Sequence, residues 1–189
     1  MHEITVLFYL LILIMDFFEI AQKGINMISS LNKSVAQQIS DKDITIMKVI
    51  DVLESKVILS PSILRETQYL GETKEGRIQK SILKQLSEIF GKEKVQKEYN
   101  VGGYWGMRCD IDLFDGKIGI ELKVAEQLKK STQVERLIGQ AVYYSRRKYD
   151  NGNLIVLVVG KKKEYDASMK EIEAIIADLG VNFVYKAVD

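Results

Sequence analysis

Histidine, cysteine and proline are nearly absent from this chain of 189 residues, which contains one of each. The lone histidine is His2, so Cys-His and Ser-His-Asp catalysis and histidine-based metal sites have nothing to be built from. The lone Cys109 excludes an intramolecular disulfide and a thiolate zinc cluster. No glycine-rich phosphate loop is present, which argues against a nucleotide cofactor and a small-molecule enzyme of that kind. Any metal must be held mainly by oxygen, and we expect a cytoplasmic protein.

The net charge is also small, at +1, and gives little support for nucleic-acid binding when taken over the whole chain. Residues 117–163, however, contain eleven lysines and arginines against four acids. Such a surface favours binding to a phosphate backbone, because the contacts release counterions from the nucleic acid. The alternatives are that Arg146 to Lys148 only stabilise the end of a helix and that residues 161–163 form a solvated loop. We predict DNA contacts from the following residues: Lys129, Lys130, Arg136, Arg146, Arg147 and Lys148.

A strong hairpin signal lies in the middle of the chain, where Asp115-Gly116 separates two segments with alternating aliphatic residues. A type I′ turn needs positive φ at both central residues, which this pair tolerates. With such a two-residue loop, Asp110 lies across from Glu121, and Lys123 follows on the same face. A slip of one residue would bury the carboxylates, so the aliphatic face fixes the register. That face consists of Ile111, Leu113, Ile118, Ile120 and Leu122.

Two facing carboxylates with a nearby lysine are typical of a metal site. Facing like charges repel each other, and a bound cation or a raised pKa on one acid relieves the repulsion. Two carboxylates and water suit Mg²⁺ or Mn²⁺, and the lysine could orient or deprotonate an attacking water. Gly119, opposite Asp112, is expected to leave room for the ion. The alternative is an ordinary solvated strand face.

The hairpin resembles the core motif of the PD-(D/E)XK nuclease superfamily, in which an Asp begins one strand and an acid-x-Lys triplet lies on the next. Here these residues are Asp110 and Glu121-Leu122-Lys123. Downstream, Gln140 and Tyr144 resemble the Gln-x-x-x-Tyr helix motif of RecB-like members. Upstream, Glu75 lies early in a predicted helix, where many members carry a further metal-linked glutamate.

The resemblance covers about residues 72–160 and departs from the family pattern at two positions. Cys109 stands where the family has a proline before the Asp. Asp112 shares a face with Asp110 and could replace or assist it.

The resemblance implies an endonuclease that hydrolyses DNA phosphodiesters with Mg²⁺, or with Mn²⁺ as a substitute, of the restriction, repair or junction-resolving type. It implies Asp110, Glu121 and Glu75 as metal ligands. It implies that Lys123 positions the attacking water and that Gln140 and Tyr144 support the site. The alternative is a non-catalytic nucleic-acid-binding or assembly subunit on the same fold, and the intact acids and lysine argue against it.

The periodicity predicts an α/β fold with a mixed sheet, in the order αβββαβ plus αβ, as in restriction endonuclease-like cores. The first helix ends at Gly91, and a Thr132–Glu135 capping box opens the second helix. The expected elements are helix 75–90, strand 95–101, the hairpin strands, helix 132–148, strand 154–159, helix 167–179 and strand 181–187.

The first third of the sequence is predicted to be helical and amphipathic, with the boundary near residues 59–72 around Pro61. We expect residues 1–60 to be an interaction or dimerisation module and residues 61–189 to be the nuclease-like domain. A homodimer would supply two active sites for cutting both strands. The stripes that suggest it are Ile28, Leu31, Val35, then Ile46, Val49 and Leu53.

Residues 4–15 form an uncharged run that is shorter than the roughly 20 residues needed to span a bilayer. A buried or dimer-forming helix is the favoured interpretation. A weak membrane-surface anchor and translated sequence upstream of a start at Met15 or Met27 stay as alternatives.

Overall fold

The computed structural model of the chain describes residues 45–65, 73–102, 107–150 and 152–188. These residues form an α/β fold with four α-helices and five strands. The elements are α1 Ile46–Ser55, α2 Lys74–Phe90, β1 Val95–Asn100, β2 Arg108–Leu113, β3 Ile118–Val124, α3 Ser131–Arg147, β4 Leu154–Gly160, α4 Ala167–Asp178 and β5 Asn182–Ala187. The apolar run at 4–15 and the stripe from Ile28 to Val35 lie outside the described residues. Within the described ranges, no helix has the length and apolar character to cross a membrane.

The five strands form one mixed sheet in which spatial order follows chain order, β1-β2-β3-β4-β5. The first three strands are antiparallel neighbours, whereas β3, β4 and β5 are parallel. Parallel neighbours need a crossover, and α3 and α4 supply the two crossovers. The predicted element order and mixed sheet are therefore confirmed.

The hairpin register is as predicted, because Ile111 pairs with Ile120 and Asp112 pairs with Gly119. The turn differs from the predicted two-residue loop. Three successive residues from Phe114 to Gly116 have positive φ, and the Lys117 N–H donates to the Leu113 carbonyl at 3.2 Å. The Asp112 carboxylate accepts the Gly116 N–H at 2.7 Å, which holds this longer loop closed.

The sheet is covered on both faces, because its strand residues alternate between two hydrophobic clusters. In β4, Ile155 and Leu157 pack with residues of α1 and α2, whereas Val156 and Val158 pack with residues of α3 and α4. The continuous aliphatic run of β4 is explained by this burial on both sides.

One helix start differs from its prediction. The structure begins α3 at Ser131, with Lys130 as the N-cap and no side-chain cap hydrogen bond. Thr132 therefore lies inside the first turn, and the predicted capping box with Glu135 does not form. A preceding 3₁₀ turn, Gln127–Lys129, leads into the helix, and the Gln133 N–H donates to the Lys130 carbonyl at 2.9 Å.

The helix α1 packs on the core, although the sequence assigned it to the N-terminal module. Val49 and Leu53 are buried in the hydrophobic cluster that also contains residues of α2 and of the sheet. The segment after α1 is also held to α2. The Gln85 side chain of α2 accepts the Ile58 N–H at 2.8 Å and donates to the Ile58 carbonyl at 2.9 Å. By its contacts the chain divides into Met1–Ser40 and Asp41–Asp189. The stripe predicted as a dimer surface is therefore covered, over residues 46–53, by the chain's own core.

A leucine truncation tests this packing. Leu53→Ala is expected to lower the free energy of unfolding by about 2–5 kcal/mol, because it leaves a cavity in a closed core. Met47→Ala on the same helix is the control, since Met47 is 64% exposed and its truncation should change stability by less than about 0.5 kcal/mol. Chemical denaturation measures both, and equal small losses would contradict the assignment of α1 to the core.

Candidate active site

The Lys123 ammonium lies at the centre of a group of oxygen atoms. Its Nζ is 2.6 Å from Glu121 Oε1, 3.9 Å from Glu75 Oε1 and 4.0 Å from Asp110 Oδ2. It also donates to the Leu122 carbonyl at 2.9 Å. Three acids from β2, β3 and the first turn of α2 thus meet around one cation. The predicted convergence of Asp110, Glu121, Lys123 and Glu75 is present in the structure.

Backbone contacts hold these side chains in place. The backbone pairing of β2 with β3 runs from Leu113 to Ile111 and stops before Asp110. There the Asp110 carboxylate accepts the Leu122 N–H at 2.8 Å, replacing the next strand-to-strand contact. The Gln79 amide of α2 donates to the Asp110 carbonyl at 2.8 Å. Glu75 lies in the first helical turn, where the helix dipole favours a carboxylate.

The acid face of the hairpin is buried, so the interpretation as a solvated strand face is wrong. Glu121 is 1% exposed and Lys123 is 6% exposed. Burial, together with the carboxylates of Asp110 and Glu75, raises the pKa of Glu121 to about 8, although Lys123 acts in the opposite direction. Burial also raises the pKa of Asp110 and of Glu75, again against Lys123. The single positive charge of Lys123 therefore does not offset the cost of burying the three carboxylates.

The donor set fits a hard cation in part. Glu121 Oε2 is buried and has no hydrogen-bond partner among the described residues. Two carboxylates and a carbonyl oxygen, from Glu121, Asp110 and Leu122, are oxygen donors of the kind that Mg²⁺ accepts alongside water and phosphate. Within the described ranges, no three histidine, cysteine or acidic side chains are grouped so that they could hold a metal by themselves. Glu75 is linked to Glu121 and Asp110 by the Lys123 ammonium, which lies within 4.0 Å of all three carboxylates.

Asp112 has a structural position and does not assist Asp110. Its carboxylate accepts the Tyr149 hydroxyl at 2.9 Å and the Gly116 N–H at 2.7 Å, so both oxygens are occupied. The space beside Gly119, expected to hold an ion, is filled by the Tyr149 ring. A Cβ at Gly119 would lie 2.4 Å from that ring. Sequence reasoning missed Tyr149, since nothing in its local pattern links it to the hairpin.

A methyl group at this contact should be costly. Gly119→Ala is expected to lower the free energy of unfolding by about 1–3 kcal/mol, because the Tyr149 ring must move out of a packed site. Gly139→Ala is the matched control, since a Cβ at Gly139 would have no atom within 4 Å. Thermal melts of the two variants measure the difference, and equal melting temperatures would contradict the close packing.

The helix α3 places its three predicted site residues in different surroundings. Arg136 is exposed and lines a cavity of about 370 Å³ together with Glu75 and Lys123. Tyr144 is buried and donates its hydroxyl to the Arg108 carbonyl at 2.8 Å, which holds the start of β2. Gln140 donates to the Tyr144 hydroxyl at 3.3 Å. Gln140 and Tyr144 therefore support the strand that carries Asp110.

The predicted basic residues lie in three places along the chain. Lys130 lines the 370 Å³ cavity with Arg136. Lys129 pairs with Glu164 at 3.2 Å. Arg146 and Arg147 are exposed at the C-terminal end of α3, about 15 Å from Arg136 along the helix axis at 1.5 Å per residue. Beside them, Lys148 lies 5.3 Å from the centroid of the Tyr99 ring.

Comparison with known proteins identifies no relative: the chain matches no protein-family model, and no significant similarity to a curated protein or a solved structure was found. The class defined by the fold is that of α/β proteins with a mixed sheet. The resemblance to PD-(D/E)XK nucleases therefore depends on the residues and geometry of this chain.

Proposed function

We propose that the protein is a Mg²⁺-dependent endonuclease that hydrolyses DNA phosphodiester bonds. The observation that carries this proposal is the convergence of three carboxylates from separate elements on the Lys123 ammonium, each within 4.0 Å. A purely structural ion pair needs one acid, and extra buried carboxylates destabilise the fold through repulsion and desolvation. An arrangement that costs stability at a cavity is typical of a functional site.

In this proposal Asp110 and Glu121 hold the Mg²⁺ ion, with Glu75 contributing from α2. The ion, when bound, supplies a polarised phosphoryl oxygen and an activated water. Burial disfavours the charged form of Lys123, but the carboxylates of Glu121, Glu75 and Asp110 outweigh it and raise the lysine pKa above its ordinary value. Without a bound metal Lys123 is therefore protonated, and in this proposal it orients water and stabilises charge on phosphorus.

The finer fold assignment, a restriction endonuclease-like core, belongs to the same proposal. It is supported by the element order from α2 to β5 and by the sheet order. It is also supported by the place of the acids, on β2 and β3 where their backbone pairing ends. A second copy of the chain, as a homodimer partner, would supply the second active site for a double-strand cut.

Cleavage assays test the proposed activity directly. Linear, single-stranded, flapped and four-way DNA are incubated with the full-length protein in Mg²⁺, in Mn²⁺ and in EDTA. We expect cleavage of at least one substrate with either metal and none in EDTA. DNA binding without cleavage in both metals would reject hydrolysis and favour the non-catalytic subunit, in which Lys123 only balances the buried acids.

The basic end of α3 gives a separate prediction for DNA binding. Replacing Arg146, Arg147 and Lys148 together with glutamine should weaken binding across all sequences and reduce the slope of log affinity against log salt by about 2–3. The reason is that phosphate contacts release counterions but read no bases. Lys92→Gln with Lys94→Gln, at the turn before β1, is a control for charge alone. An unchanged affinity and slope would leave the three residues as helix-end charges.

A further inference from the structure

A second cavity, of about 730 Å³, lies next to the acid cluster. Its lining residues are Met107, Arg108, Arg136, Gly139, Gln140, Tyr143 and Tyr144. Arg136 also lines the cavity that contains Glu75 and Lys123, so this residue borders both spaces. The cavity is open to solvent, and its volume is in the range of about 300–1,000 Å³ that is usual for sites that bind small molecules.

Gly139 is unexplained by the packing of the protein itself. It lies in the middle of the 17-residue helix α3, where glycine is less stable than alanine. A Cβ at this position would meet no atom within 4 Å, so no neighbour requires the absence of a side chain. Gly139 instead exposes bare helix backbone to the cavity. Such a surface allows close approach by a group that is not part of the chain.

Gln140 provides an independent indication that a ligand enters the cavity. This residue is 8% exposed, and its Nε2 is used by the Tyr144 hydroxyl. Its Oε1 is buried without a hydrogen-bond partner in the described part of the chain. An unpaired buried acceptor is costly, and a donor from a ligand would satisfy it.

The other lining groups define the ligand chemistry. Arg136 is a cation suited to phosphate, and Tyr143 contributes an aromatic ring on which a base can stack. The second arginine of the lining, Arg108, pairs with Glu98 at 3.4 Å. The Tyr143 ring is fixed, because its hydroxyl donates to the Gly102 carbonyl at 2.9 Å. A phosphate, a planar ring and a hydrogen-bond donor together describe a nucleotide. A base within a duplex is stacked and has its edge paired, so it does not fit without leaving the helix.

We infer that this cavity receives one unpaired nucleotide adjacent to the phosphate that is cut. The inference depends on the proposed endonuclease activity and names its substrate class, which is DNA with an unpaired nucleotide at the cleavage position. Arg136 joins the two sites, since it contacts the phosphate shared by the cluster and the cavity.

Filling the cavity with a larger side chain at Gly139, and then measuring DNA binding, tests the inference. Two fluorescent DNA duplexes of equal length, one fully paired and one with a single unpaired central nucleotide, are titrated with full-length protein in EDTA. The wild type should bind the second duplex about tenfold more tightly, in line with one stacked base. Gly139→Phe should remove this preference and bind both duplexes equally. Gly139→Ala, which adds only a methyl group, should reduce the preference less than Gly139→Phe does.

Thermal melts show whether the variants are folded, and Gly139→Leu replaces Gly139→Phe if the larger ring unfolds the protein. A folded Gly139→Phe or Gly139→Leu variant that keeps the preference would overturn the inference. So would a wild-type protein that binds both duplexes equally. Cleavage in Mg²⁺ is measured in parallel, so that the two proposals fail separately. Preferential binding without cleavage would reject the nuclease but retain the nucleotide site, whereas cleavage without preference would reject only the nucleotide site.

Discussion

Asp110→Asn and Glu121→Gln are each expected to abolish DNA cleavage while the protein stays folded. In the proposed mechanism both carboxylates hold the metal, and loss of one should lower the rate by about a thousandfold or more. Asparagine retains an oxygen that can accept the Leu122 N–H, which now bonds Asp110 at 2.8 Å. DNA binding should be largely retained. Single-turnover cleavage and circular dichroism measure the two effects.

Metal binding itself is read from thermal melts. The wild type should melt at a higher temperature in millimolar Mg²⁺ than in EDTA, and neither variant should show this shift. Asp115→Asn is the matched control, because it makes the same chemical change in the exposed hairpin loop. A wild-type protein without a metal-dependent shift would count strongly against the metal site, as would full cleavage by Asp110→Asn.

Lys123→Met is expected to lower the free energy of unfolding by about 3–5 kcal/mol near pH 8, because it leaves buried carboxylates without their cation. The loss should be smaller at pH 5. The pKa of Glu121 rises from an ordinary 4.5 to about 8 on folding, so this carboxyl is protonated in the folded state at pH 5. Because a neutral carboxyl group is not stabilised by the lysine charge, removing Lys123 should cost less stability at pH 5.

The direction of the pH dependence follows from linkage. Between pH 4.5 and about 8, folded Glu121 holds a proton that the unfolded chain has released, so its contribution to stability falls as pH rises. Without Lys123 the folded-state pKa of Glu121 is expected to be higher still. The free energy of unfolding of the variant should therefore continue to fall at pH values above 8, where that of the wild type no longer changes. Urea denaturation at several pH values measures this gap. Lys117→Met, at an exposed position, should show no such trend, and a pH-independent loss in Lys123→Met would reject the explanation.

The sequence predicted the hairpin register because two independent constraints agreed. The aliphatic residues Ile111 and Ile120 had to face the core together, and the Asp-Gly pair located the turn. The acid cluster followed from that register. The loop could not be predicted from its two central residues, since its length depends on the Asp112 carboxylate accepting the Gly116 N–H. A side-chain contact of this kind is absent from turn propensities.

Residues beyond the hairpin were harder to place, for reasons of tertiary packing. The helical spacing of Gln140 and Tyr144 was correct, but spacing does not show that Tyr144 donates to the Arg108 carbonyl. The small size of Gly119 was interpreted as room for an ion, whereas Tyr149 occupies it from about thirty residues away. Val49 and Leu53 showed an apolar stripe, and a stripe does not reveal whether its own chain or a partner covers it.

The contact between the Asp110 carboxylate and the Leu122 amide has a spectroscopic consequence. This amide is bonded to a titratable side chain, although it lies in a strand flanked by β2 and β4. Its proton resonance and its exchange with solvent deuterium therefore depend on the charge and position of Asp110, whereas strand-bonded amides elsewhere in β3 do not share that dependence. A single backbone resonance in a rigid strand thus reports on the acid cluster without any added label.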